Sequence, residues 1–203
     1  MTTLSRTPGA LLARLVFWII GWKAVNAVTD MPRKAVIIAA PHTSNWDGFL
    51  MVLAAKMLGL RIRWAFKAEG VKGIVGWLAM RTGALPIRRD GNLGMTDALA
   101  AEFDKHEDLL FSIAPSGTRK KKEHWRSGFY HLAQKANVPI LFGTVDYGAK
   151  RAGLIGRLET TGDMKADIEA IAAGYEGTVP KFPAKLTPIR FRDENTSDES
   201  AAG

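Results

Sequence analysis

The sequence predicts one α/β domain built on a mostly parallel mixed sheet flanked by helices, preceded by an apolar N-terminal helix. Three observations lead there. After Pro32, short apolar runs of strand length alternate with stretches of helical periodicity, the pattern of strand–helix–strand units. The 203 residues make one ordinary domain and leave no room for two large ones. A composition that is 47% hydrophobic and 24% charged supplies a core and excludes wholesale disorder.

The elements follow in order. Leu15–Trp22, extended by Leu11, Leu12 and Val25 and bracketed by Arg14 and Lys23, predicts a helix that is apolar around most of its circumference. Two Trp and flanking bases suit the headgroup boundary of a membrane; the same pattern also fits a helix packed on the core. Val25-Asn26-Ala27 has the small residues of a signal cleavage site, which Trp22 and Lys23 argue against. No apolar run reaches the ~18–20 residues that cross a bilayer. Ala35–Ala40 reads as a buried strand, and Asp47–Leu58 as a helix with Phe49, Leu50, Leu53, Met57 and Leu58 on its apolar side. Leu60, Ile62, Trp64 and Phe66 alternate with Arg61, Arg63 and Ala65, a half-buried strand. Val71–Met80 is amphipathic, Leu85–Arg88 a short strand, Met95–His106 a helix and Leu109–Ala114 a buried strand. Ser127–Ala136 is helical, Ile140–Tyr147 and Leu154–Thr160 are strands, and Lys165–Ala173 closes the set as a helix. The resulting division is an N-terminal helical segment over 1–30, a main domain over 31–190, and a disordered acidic tail over 191–203.

Charge and composition narrow the chemistry. With no cysteine, a disulfide framework, a thiolate metal site and a cysteine nucleophile are excluded. Only four His are present and no two sit at ligand spacing on one helix, so no metal site is expected. The net charge is +8 although Asp193–Gly203 holds four acids and no base, so the body is more basic still. Such a surface attracts nucleic acid, anionic membrane or phosphorylated small molecules.

Pro41-His42-Thr43-Ser44-Asn45-Trp46-Asp47 lies between a strand and a helix, where α/β proteins place ligands. His is the natural base near neutral pH, and a carboxylate on its second nitrogen fixes the tautomer. With His42 in the loop and Asp47 in the first helical turn, the two can meet. Ser44-x-x-Asp47 is equally a capping box for the same helix. After a second buried strand comes Ala114-Pro115-Ser116-Gly117-Thr118-Arg119, in which Gly117 permits a tight turn while Thr118 and Arg119 offer a hydroxyl and a forked guanidinium to a phosphate. Lys120, Lys121 and Lys122 extend the positive field; a solvated basic surface or a nucleic-acid patch would look the same. Gly83–Arg89 is a short strand ending in two bases, and Lys67 ends the alternating strand. Ser116 is not in a G-x-S-x-G elbow, which disfavours a serine hydrolase.

Together these segments resemble the glycerophosphate and lysophosphatidic acid acyltransferase family. That family carries H-x4-D, then G-x-[IL]-x-I-x-R, then E-G-T-R, then V-P-[IV]. The chain has His42…Asp47, Gly83–Arg89, Ser116-Gly-Thr-Arg119 and Val138-Pro-Ile140 in that order, over roughly residues 10–160. The resemblance implies acyl transfer from acyl-CoA or acyl-carrier protein to a hydroxyl of a lysophospholipid such as 1-acylglycerol-3-phosphate, a step of phospholipid biosynthesis needing no cofactor beyond the thioester co-substrate. It implies His42 as general base and Asp47 as its orienting partner. It implies Arg89 and Arg119 as holders of the acceptor phosphate, Gly117 and Thr118 as shapers of that loop, and Lys67 at a position that is often Lys. It further implies a peripheral or monotopic enzyme on the cytoplasmic face of an anionic membrane, docked by the N-terminal helix and Val71–Met80. The departure is Ser116, where the family has Glu; a different acceptor or a non-catalytic lipid-binding relative would each account for it. A basic nucleic-acid-binding domain is the reading disfavoured by the Trp-rich first helix.

Overall fold

The computed structural model describes residues 4–67, 73–87 and 94–192. Helix α1 (Pro8–Ile20) and strand β1 (Lys23–Asn26) lead into β2 (Lys34–Ala39), α2 (Asn45–Leu58), β3 (Ile62–Lys67), α3 (Gly73–Arg81) and β4 (Ala84–Ile87). Then come α4 (Met95–Lys105), β5 (Leu109–Ile113), α5 (Gly128–Lys135), β6 (Ile140–Asp146), β7 (Arg151–Leu158) and α6 (Met164–Gly174). The seven strands form one sheet in the order β1-β7-β6-β2-β5-β3-β4. All neighbours are parallel except β6 and β7, a hairpin whose antiparallel register pairs Ile140 with Leu158 and Asp146 with Arg151. The α/β architecture with a mostly parallel mixed sheet is therefore the one the sequence predicts.

Strand β2 is the middle of the sheet, and its side chains alternate between two cores. Val36 and Ile38 join Leu99 and Phe103 of α4, Phe129, Tyr130 and Leu132 of α5, and Ile168 and Ile171 of α6. Ala35 and Ile37 face the other way, with Leu141 and Leu154. Beside them on that side, Ala13 and Phe17 of α1 pack with Leu50, Ala54 and Met57 of α2. Being covered on both faces is why these strands read as continuous apolar runs. Of the apolar positions assigned to α2, Leu50, Met57 and Leu58 are buried while Phe49 is exposed.

Boundaries differ from the sequence reading in several places; β7, for one, runs over Arg151–Leu158 and not Leu154–Thr160. The first helix stops at Ile20, because Gly21 adopts a left-handed backbone (φ +70°) and its N–H caps the carbonyls of Phe17 and Trp18. Val25 is consequently a residue of β1, at the sheet edge, and not of the helix. At the other end, residues 176–192 are irregular apart from a 3-10 turn at Pro183–Lys185, but they are tied to the domain. Trp125 N–H donates to the Arg190 carbonyl at 2.8 Å, and Phe191 packs its ring on Phe129 and Tyr130. Phe191 thus belongs with the core; residues 193–203 lie outside the described residues.

Candidate active site

Because β6, β2 and β5 are parallel neighbours, the segments leaving their carboxyl ends converge on one edge of the sheet. These segments are Tyr147 after β6, the His42 loop after β2 and the Ser116 loop after β5. A cleft lies between the His42 and Ser116 loops, lined by His42, Thr43, Pro115, Ser116, Trp125 and Thr187 among others. The fold thus brings the first and third sequence motifs to a common site.

Asp47 sits in the first turn of α2 and is 3% exposed. Its Oδ2 accepts the backbone N–H of Thr43 at 2.7 Å and of Ser44 at 2.8 Å. The same oxygen lies 3.7 Å from His42 Nδ1, an ion-pair distance longer than a hydrogen bond. Ser44 and Asp47 form a reciprocal capping box, and the same carboxylate stands on the Nδ1 side of the imidazole. The cap therefore fixes where the carboxylate stands relative to His42. Burial pushes the His42 imidazole below its ordinary value of 6.5; the Asp47 charge opposes that and Arg119 reinforces it. A neutral imidazole at pH 7 can accept a proton.

The Ser116 loop is a tight turn. Gly117 N–H donates to the Ala114 carbonyl at 2.9 Å, and the φ of +63° at Gly117 is a conformation that side-chain-bearing residues rarely adopt. The Ser116 hydroxyl donates to the Thr118 carbonyl at 2.9 Å, turned into its own loop. Thr118 Oγ1 accepts the Lys120 N–H at 3.3 Å. Arg119 is exposed, and its Nη1 donates to Asn45 Oδ1 at the start of α2. Lys120, Lys121 and Lys122 are exposed beside it, and Lys122 N–H donates to Thr187 Oγ1 at 3.0 Å.

Lys67 is the last residue of β3 and pairs with Ile87 of β4, with β5 between β3 and the central strand. Arg89 lies outside the described residues. Among the described residues, no three His, Asp or Glu side chains are grouped to hold a metal ion.

The sequence reading missed the contributions that come from beyond Asp146. The Tyr147 hydroxyl donates to Asp47 Oδ1 at 2.9 Å. Phe182 N–H donates to Thr43 Oγ1 at 3.3 Å, which ties the C-terminal segment to the His42 loop. Lys181 Nζ lies 5.3 Å from the Trp46 ring centre and 5.8 Å from that of Tyr147. No motif flags these residues; the only signal was that an apolar strand ends in Asp-Tyr at the sheet's carboxyl edge.

A His–Asp pair at a strand–helix junction, facing a glycine-turned basic loop, defines a protein that could activate a hydroxyl beside a bound anion. The acyltransferase family model matches residues 24–142, more than half of the chain, and the protein belongs to the acyltransferase family. A comparison with curated proteins finds none that matches.

Proposed function

We propose that the protein transfers a fatty acyl group from acyl-CoA or acyl-carrier protein to a hydroxyl of a lysophospholipid such as 1-acylglycerol-3-phosphate. The observation that carries this reading is that His42, with Asp47 behind it, lines the same cleft as Ser116 of the basic loop. His42 takes the proton from the acceptor hydroxyl as its oxygen attacks the thioester carbonyl. The carbon–oxygen bond forms, the carbon–sulfur bond breaks, and the imidazolium returns the proton to the departing thiolate. Asp47 holds the imidazole in the productive orientation. Arg119, with Arg89, binds the acceptor phosphate, while Gly117 and Thr118 set the shape of the loop and Ser116 forms part of the cleft wall.

Lipid substrates require a lipid surface. No helix among the described residues is long and apolar enough to cross a membrane. Helix α1, however, leaves Leu11, Leu12, Leu15, Trp18 and Ile19 more than half exposed, and α3 leaves Ile74 83% and Trp77 59% exposed. Together with the net charge of +8, this supports peripheral docking on an anionic, cytoplasmic leaflet and a role in phospholipid synthesis.

Thiol release from acyl-CoA tests the reading, with lysophosphatidic acid and a panel of other lysolipids as acceptors. The chain has no cysteine, so a thiol-reactive dye reports free CoA alone. Acceptor-dependent release by the natural chain, lost in His42→Ala, is the expected result. The loop favours a second reading in one respect, since Ser116 replaces the family's Glu and bonds to the Thr118 carbonyl within its own turn. Release appearing only in Ser116→Glu would make the natural chain a lipid binder without turnover.

A further inference from the structure

We infer that Tyr147 is a positioning residue of this site, holding Asp47 in place and thereby setting the orientation and basicity of His42. The inference rests on the reading of His42 as the base.

The capping box accounts for only half of the Asp47 carboxylate. Oδ2 is occupied by the two amides of its own loop, as any helix cap would be. Oδ1 receives its hydrogen bond from a hydroxyl 100 residues away in the chain, at the end of β6. A cap needs no such third donor. With both oxygens held, the plane of a carboxylate that is 3% exposed is fixed, and Oδ2 is kept facing His42 Nδ1. Tyr147 lies beyond the residues matched to the family, so the matched segment does not include it.

Tyr147 is itself firmly placed. Its N–H donates to the Val179 carbonyl at 2.8 Å, and its ring meets the Trp22 ring edge-on with centres 5.0 Å apart. Burial and the neighbouring Asp47 push the phenol well above its ordinary value, so it remains a donor throughout the working pH range. The charged groups that bear on His42 are Asp47 from α2 and Arg119 from the basic loop; Lys181 of the C-terminal segment lies against the Tyr147 ring, 5.8 Å from its centre. Asp47 is the one of the two that Tyr147 holds by a hydrogen bond.

Removing the hydroxyl takes the positive end of its O–H dipole away from Asp47. The carboxylate then presents a more negative potential to the imidazole, which favours imidazolium, so the His42 pKa rises. The test is NMR titration of the His42 ring in the full chain and in Tyr147→Phe, with the resonance among four His assigned through His42→Asn. The expected result is a His42 titration displaced to higher pH in a folded Tyr147→Phe. In thiol release, kcat falls about tenfold, KM stays within about twofold, and the acid limb of the pH profile moves upward with the titration. Trp22→Phe, which alters ring packing and keeps the hydroxyl, leaves the titration where it was. A folded Tyr147→Phe whose His42 titrates as in the natural chain overturns the inference. A displaced titration in a protein that releases no thiol with any acceptor retains Tyr147 as positioning residue and removes the acyl-transfer reading instead.

Discussion

The Arg119 guanidinium donates through Nη1 to the Oδ1 of Asn45, joining the basic loop after β5 to the first residue of α2. In the related family a Glu begins the loop that here reads Ser116-Gly-Thr-Arg119, and a carboxylate there would steady the Arg. Ser116 instead bonds to the Thr118 carbonyl within the turn. The restraint on Arg119 comes from across the cleft, from the same helical turn that carries Asp47. An exposed guanidinium held by a neutral acceptor is modestly restrained, so its aim is sensitive to that acceptor.

Asn45→Ala should therefore raise KM for a phosphate-bearing acceptor about three- to tenfold and leave kcat within about twofold. Adding Ser116→Glu to that variant should recover most of the loss, by restoring a partner from within the loop. Steady-state thiol release on the single and double variants checks both statements. An unchanged KM in Asn45→Ala would remove Arg119 from acceptor binding.

Burial holds the His42 imidazole below 6.5, and two pH effects follow with defined signs. In the proposed role of general base His42 works when neutral, so the rate should rise with pH through the lowered His42 value and be flat above it, placing the acid limb below pH 6.5. For folding, the unfolded chain binds the proton more readily than the folded one, so stability from this residue is complete above about 6.5 and declines as pH falls below it. Asp47→Asn removes the charge that opposes the shift. The limb should then move lower still, while the plateau drops about 100-fold or more because the imidazole loses its orienting anion. A pH–rate profile of kcat/KM for both proteins decides this.

How much of this was legible beforehand depended on whether the signal was local. Strands β2, β5 and β6 announced themselves as apolar runs because both faces of a central parallel strand are buried. The His42 and Ser116 loops were legible because their residues are contiguous and each follows such a strand. Strand β1 was hidden, since Lys23–Asn26 continues the apolar composition of α1 and only Gly21 marks the break. Sheet order was equally hidden, because nothing in Ile140–Asp146 says that it pairs with β2. Tyr147 and Phe182 reach the His42 loop only through tertiary closure of segments 100 or more residues apart, which no spacing encodes.

Adjacent residues of α1 should separate its two faces. Phe17 is 1% exposed and packs with Leu50, Ala54 and Met57 of α2, so Phe17→Ala should cost about 3–5 kcal/mol through lost burial and the cavity left behind. Trp18, 79% exposed, should be removable to Ala within about 0.5 kcal/mol. Urea unfolding of both variants measures the difference, and equal losses would mean that α1 is oriented otherwise.

The same exposed face gives the last test, because exposure without a folding role leaves an apolar surface whose use must lie outside the core. Leu12 and Trp18 are 62% and 79% exposed, and each large apolar side chain transferred from water contributes about 1.5–3 kcal/mol. Leu12→Glu with Trp18→Glu should lower the partition coefficient onto vesicles containing anionic lipid at least 100-fold, since it removes both side chains and adds repelled charge. Folding should be spared, because Ala10, Ala13 and Phe17, which hold the helix to the domain, are untouched. Turnover of an acceptor dispersed as vesicles should fall with binding, whereas turnover of a short-chain soluble acceptor should persist, since His42 and Asp47 lie beyond the substituted face. Vesicle binding that survives the double substitution while salt abolishes it would place the attachment in the basic loop at Arg119–Lys122 and not in α1.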